Sequence, residues 1–140
     1  MLSTCSDRTI ISRIIVVIRG FAELLDKCAQ GKLNEAHYQA SPETSVTVML
    51  VSGGYPEAYK KGMKITGLED VCPCCIVAHA GTKLDGNDIV TSGGRVIAVT
   101  AHGKNIEEAR EKAYNNAKKI VFEGKNYRHD IGLDLMNYPA

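Results

Sequence analysis

"RVIAVTAHGKNIEEAREKAYNNAKKIVF", residues 95–122, changes period in its middle. Residues 95–101 are mostly β-branched or small and apolar, which is the composition of a strand. From Ile106 onward the apolar positions Ile106, Ala109, Ala113, Ala117 and Ile120 fall on one helical stripe. Asn105 suits the N-cap, and Glu108, three residues later, suits a capping box. The pattern predicts a strand over 95–101 and a helix from 106 to 121 or 122, ended by Gly124. Alanines along the stripe allow that helix to lie close against a sheet.

Working outward, "VTVMLV" at 46–51 reads as a strand apolar on both faces and hence buried on both sides. "CIVAHA" at 75–80 is a second strand, and 89–91 a short third. Asp85-Gly86 and Asn87-Asp88 are turn chemistry, and Gly93-Gly94 is another break. After "SGGYP", Pro56 suits a first helical position, so "EAYKKG" predicts one or two helical turns ending near Gly62. Residues 63–71 read as a short strand and a turn. "FAELLDKCA", 21–29, places Phe21, Leu24, Leu25 and Cys28 at helical spacing before a Gly31 cap. Residues 34–45 are a polar connection with room for a short strand, and the tail after Gly124 begins basic and finishes extended. The run at 9–18 is too short to cross a bilayer and is interrupted by Arg13, so it reads as a buried strand. The expected fold is α+β: a small, mainly antiparallel, barrel-like sheet with one long packed helix.

The bulk properties exclude several classes. At 140 residues and 44% hydrophobic the chain can build one core. Lys plus Arg is 17 against 16 for Asp plus Glu, a balance that gives no electrostatic case for nucleic acid or an anionic membrane. Five cysteines, three of them crowded into "VCPCC", do not form the spread-out framework of a secreted disulfide domain and point to a reducing cytoplasm.

Candidate sites are sparse. Gly53-Gly54, Gly81-Thr82 and Gly93-Gly94 invite a phosphate-cradling reading, but none has P-loop or dinucleotide spacing, and each alone reads as a turn. Cys72, Cys74 and Cys75 with His79 invite a zinc reading, yet a structural site needs converging ligand pairs and only one cluster exists. Small apolar or half-exposed thiols are the expectation, with no metal. Cys75 and His79 share a strand face but lie about 13 Å apart along it, too far for a nucleophile–base pair. Arg95 beside Gly93-Gly94, Arg128 in the tail, and Lys83 suit a phosphate, because a guanidinium offers two charge-assisted hydrogen bonds.

Taken in order, "VMLVSGGYPEAYKKGMKITGL", "VAHAGTK", "IVTSGGRVIAVTAHGKNIEEAREKAY" and "IVFEGKNYRHDIG" closely resemble the C-terminal domain of the phosphoribosylamine–glycine ligase family, over roughly residues 21–133. Each motif is weak alone; the ordered set is specific. The resemblance implies the ligase that joins 5-phosphoribosylamine to glycine in purine biosynthesis, using ATP and Mg2+. The glycine carboxylate would be phosphorylated to an acyl phosphate, which the amine of phosphoribosylamine then attacks.

The resemblance also implies what this chain lacks. The family carries an ATP-grasp core that clamps the nucleotide, and a Glu-Phe-Asn-x-Arg-Phe-Gly-Asp-Pro-Glu stretch whose Glu and Asn hold magnesium. Residues 1–20 hold no such stretch. The expected organisation is 1–45 as a remnant of the end of the ATP-grasp region, with 1–20 poorly matching through truncation or frameshift, and 46–140 as the C-terminal domain. Arg95, Arg128 and Lys83 become candidates for the ribose-phosphate side of the cleft, with Gly53, Gly54, Gly93 and Gly94 as loop glycines near it. The chain alone is expected to be inactive, to bind no ATP or Mg2+, and to expose an apolar face meant for the ATP-grasp core. The alternatives are a docking module that completes a separately encoded core and a stand-alone binder of a phosphorylated sugar or nucleotide.

Overall fold

The computed structural model describes residues 18–19, 21–37 and 39–136. The strand expected over 9–18 lies outside these residues, apart from its last position. The element order is β1 (Ile18–Arg19), α1 (Phe21–Ala29), a short 3-10 helix (Leu33–Glu35), β2 (Gln39–Ala40), β3 (Thr44–Val51), β4 (Ile76–His79), β5 (Thr82–Asp85), β6 (Asp88–Thr91), β7 (Arg95–Gly103) and α2 (Ile106–Lys119). The fold is α+β, and every strand pairing is antiparallel. Among the described residues the strands form three ladders, without showing barrel closure: β1 with β2, the sheet β3-β7-β4, and the hairpin β5-β6. Single bridges, Lys64 to Val90 and Thr66 to Val121, stitch the segment before Gly67 to β6 and to the chain beyond α2.

The heart is the contact of α2 with β3 and β7. Val46, Val48 and Leu50 of β3 stand beside Ala101, Val99 and Ile97 of β7, and all six are buried. Ala109, Ala113 and Ala117 face them and are fully buried, so the helix backbone approaches the sheet closely. The opposite face of β3 is only half-buried rather than buried. Its polar residues explain this: Ser45 hydrogen-bonds His102 at 2.8 Å and Thr47 hydrogen-bonds Thr100 at 2.8 Å across the strands.

The register slips between Leu50 and Val51, where Leu50 faces Ile97 but Val51 faces Arg95. Val96 is the extra residue, and both Val96 and Ile97 are consequently buried. The Val96 carbonyl accepts from the amides of Ala80 and Gly81, each at 3.0 Å.

α2 starts as its sequence predicts, with the Asn105 side chain accepting from the Glu108 amide at 2.9 Å. It ends earlier than expected. Ile120 turns extended so that Val121 can pair with Thr66, and Gly124 lies in the following turn. The exposed helix carbonyls are met by Lys125, whose Nζ donates to the carbonyls of Ala117 and Ile120 at 3.3 and 2.6 Å. Burial pushes the Lys125 pKa down.

Three further expectations need correction. Residues 56–61 form no helix. The Tyr55–Pro56 bond is cis, Glu57 N donates back to Gly54 O, and Gly62 N donates to Thr91 O, so the backbone is spent on a turn and on β6. Residues 82–85, where the sequence reading places no strand, are strand β5; the turn at Gly86, with φ of +61°, closes them onto β6. Residues 131–136 are turns rather than extended chain. Among the described residues no buried side-chain nitrogen or oxygen lacks a hydrogen-bond partner.

α1 forms where its period predicted, but buries none of its residues. Phe21 and Leu25 are 53% and 55% exposed, and Leu33 just after the helix is 53% exposed. None of the helices described is long and apolar enough to cross a membrane.

Candidate functional site

The chain reverses at one end of the sheet, just past the bulge, and there several glycine turns converge. Ser52 is the hinge pin: its amide donates to Gly94 O at 2.8 Å and its buried hydroxyl to Gly93 O at 3.0 Å. Val51 and Asn126 exchange both backbone hydrogen bonds, at 2.8 and 3.0 Å, which brings the segment after α2 to the same place. The Ser92 and Gly93 amides donate to Gly81 O at 2.8 and 3.1 Å. The motifs "SGGYP", "AGT", "TSGG" and "EGKN" are therefore spatial neighbours although they lie some 70 residues apart in sequence.

Close packing explains the glycines here. A Cβ on Gly53 would stand 2.8 Å from the Gly124 carbonyl oxygen, and one on Gly94 would overlap the Tyr55 ring. Gly54, at φ of +90°, also needs the left-handed conformation. No glycine amide of this junction needs a phosphate to explain its position.

Beside the junction lies an open cavity of about 480 Å³, lined by Gly53, Ala58, Tyr59, Lys60, Met63, Glu123 and Gly124. Lys60 and Glu123 form an exposed ion pair across it at 3.7 Å. Such an exposed pair is weak and opens readily to a charged ligand. The cavity offers one ammonium, one carboxylate and a phenol ring. It can position a polar molecule, but it holds no nucleophile–base pair.

The three basic candidates sit on three segments, two of which, those of Arg95 and Arg128, flank Val51. Arg95 is exposed at the first position of β7, within the glycine junction. Arg128 lies two residues past Asn126 and directs Nε and Nη2 onto Asp130 at 2.9 and 2.7 Å. That carboxylate raises the Arg128 pKa further above its ordinary value. α2 fixes the segment around it: Tyr114 Oη donates to Arg128 O at 2.6 Å and Arg110 Nη2 to His129 O at 2.7 Å. Lys83 stands exposed on the β5-β6 hairpin, opposite Val90. Of the candidate site residues read from the sequence, Gly53 alone lines the cavity, joined there by the turn residue Gly124. Tyr59, Lys60 and Glu123 escaped notice because the first two were assigned to a helix and Glu123 to the end of another.

Nor were all the cysteines as expected. Cys72 and Cys74 are joined in a disulfide, while Cys75 is a buried free thiol. Among the described residues no group of three His, Cys, Asp or Glu side chains is arranged to hold a metal ion.

Comparison with known proteins agrees with this domain-sized reading. Residues 45–134 match the family model described as phosphoribosylglycinamide synthetase, C domain. A phosphoribosylamine–glycine ligase of Caldanaerobacter subterraneus subsp. tengcongensis is 45% identical over 79% of this chain and 26% of its own length. The chloroplastic ligase of Arabidopsis thaliana is 43% identical over 79% of this chain and 22% of its own. A bifunctional purine biosynthetic protein of Dictyostelium discoideum is 40% identical over 83% of this chain and 15% of its own. The crystal structure of the Thermotoga maritima phosphoribosylamine–glycine ligase superposes with a TM-score of 0.67 at 35% identity, covering 80% of this chain and 27% of that one. The chain thus spans about a quarter of the single-function ligases it matches. With more than half of its residues inside the matched region, the chain belongs to the phosphoribosylglycinamide synthetase C-domain family.

Proposed function

We propose that this chain serves as the C-terminal part of an ATP-dependent ligase that joins 5-phosphoribosylamine to glycine in the cytoplasm, and that it is inactive without the ATP-grasp core. The observation that carries the reading is the match of a folded domain to about a quarter of such ligases. The exposed apolar face of α1 supports it: Phe21, Leu25 and Leu33 lack a covering neighbour among the described residues. ATP and Mg2+ are assigned to the ATP-grasp core of such a ligase, which lies outside the matched C domain.

In the assembled enzyme the glycine junction walls the substrate cleft. Arg95 and Arg128 face the ribose phosphate, with Lys83 as a third contact. Residues 1–45 then form the end of the ATP-grasp region, and 46–140 the domain proper. A separately encoded core docking on α1 is the alternative arrangement of the same parts.

The test is ATP-dependent product formation from phosphoribosylamine and glycine. The chain alone should give no turnover. Fused to, or mixed with, a ligase core lacking its C domain, it should restore activity. Turnover by the chain alone, or failure of the folded fusion to turn over, overturns the proposal. In the restored enzyme Arg128→Ala should raise KM for phosphoribosylamine; an unchanged KM removes that residue from the site.

A further inference from the structure

The segment leading into β4 carries Cys72, Pro73, Cys74 and Cys75, a cluster to which the ligase reading gives no role. Cys74 is exposed and Cys72 half-buried, so their disulfide can be reached from solvent. The bond closes a loop of sequence separation 2, with the Cα atoms 5.2 Å apart. So short a loop removes little entropy from the unfolded chain, so the bond is a poor structural staple.

The segment is instead held by groups that do not use these two sulfurs. Asn116 of α2 accepts from the Cys72 amide at 2.9 Å and donates to Lys112 O at 2.9 Å. Lys119 Nζ donates to Asp70 O at 2.8 Å, and the Cys75 amide donates to Cys72 O at 2.9 Å. Opening the disulfide leaves all of these in place.

The third sulfur is placed differently. Cys75 Sγ is buried, accepts from Asn116 Nδ2 at 3.3 Å, and lies 3.9 Å from Cys74 Sγ. Burial pushes its thiol pKa up, outweighing the opposite pull of Lys112 and Lys119. A protonated, buried thiol is a poor nucleophile.

We infer that Cys72 and Cys74 form a reversible thiol–disulfide centre that exchanges with small thiols and disulfides of the glutathione class, while Cys75 stays out of the exchange. In the reducing direction an external thiolate attacks the exposed Cys74 sulfur. The Cys72–Cys74 bond breaks, a mixed disulfide forms, and Cys72 leaves as a thiolate that takes up a proton. The Cys74 amide, 3.2 Å from Cys72 Sγ, points a donor at that leaving sulfur. A second external thiolate then attacks the mixed disulfide and releases Cys74. The balance is one protein disulfide plus two small thiols giving two protein thiols plus one small disulfide, a two-electron exchange.

The test equilibrates the full chain in glutathione buffers from fully reducing to fully oxidising, followed by acid quenching, alkylation and peptide mass spectrometry. We expect the Cys72 and Cys74 thiols to disappear and return together without added glutathione mass, while Cys75 remains alkylatable and the exposed Cys28 is distinguished by its glutathione adduct. Cys75→Ala should keep the same midpoint, and Cys72→Ser should leave Cys74 as a glutathione mixed disulfide. Thiols that stay reduced throughout, a bond between Cys74 and Cys75, or one zinc per chain retained by the three sulfurs after reducing purification would each overturn it. Thiol counting is independent of ligase turnover, so this inference and the proposed function fail separately.

Discussion

Gly53 and Gly124 pack backbone against backbone, with the Gly124 carbonyl oxygen 2.8 Å from where a Gly53 Cβ would stand. The obstacle is main chain on both sides and cannot swing away. Gly53→Ala should therefore cost about 1–3 kcal/mol, the usual cost of forced overpacking. Urea unfolding should show a lower midpoint with an unchanged slope. Gly86→Ala, with no atom near its Cβ but a φ of +61°, reports the cost of left-handed strain without overpacking, for comparison.

The start of α2 carries a charge-dependent clasp. Glu108 accepts from Lys112 Nζ at 2.7 Å and from the Lys104 amide at 2.9 Å, and these bonds lower its pKa below the ordinary 4.5. A carboxylate depressed on folding stabilises above its unfolded pKa and loses that effect as pH falls through the folded value. Glu108→Gln should thus be less stable than the parent at pH 7. The gap should shrink steadily as pH drops below 4.5, measured by thermal melts across pH.

Asn116 is buried and uses both ends of its amide, on the Cys72 amide, Cys75 Sγ and Lys112 O. Asn116→Ala strands the Cys72 amide and opens a void. It should cost about 1–3 kcal/mol. Hydrogen exchange should locate the loss at the segment 70–75, with the β3-β7 ladder less affected.

α1 should make the isolated chain self-associate. Phe21→Ser with Leu25→Ser removes exposed apolar surface without opening the core, so the melting temperature should move little and the sedimenting species should shift toward monomer. A parent chain already monomeric at high concentration would show that this face needs no partner.

What the sequence disclosed was what local chemistry decides. The cap at Asn105, the alanine stripe and the turn at Asp85-Gly86-Asn87-Asp88 each state their conformation within a few residues. What stayed hidden depends on distant partners. Pro56 reads as a helix start until Gly62 is seen bonded to Thr91, and Val121 reads as helix until Thr66 claims it. The glycine junction was legible only as separate turns, because only the folded chain brings Ser52, Gly94 and Asn126 together. The basic candidates were chosen by residue type, which says nothing of whether a carboxylate such as Asp130 already occupies an arginine.

The pairing of Val48 with Val99 sets an order of events during synthesis. β3 leaves the ribosome about fifty residues before its partner β7, and α2 follows later still. At roughly 5–20 residues per second, a strand with three large aliphatic side chains waits about 3–10 s in the open. During that wait the β5-β6 hairpin can form from neighbouring residues, but it does not cover the face of β3 that α2 will bury. The nascent chain is thus most exposed to chaperones, and to other nascent chains, while the apolar face of β3 still lacks its partner strand and helix.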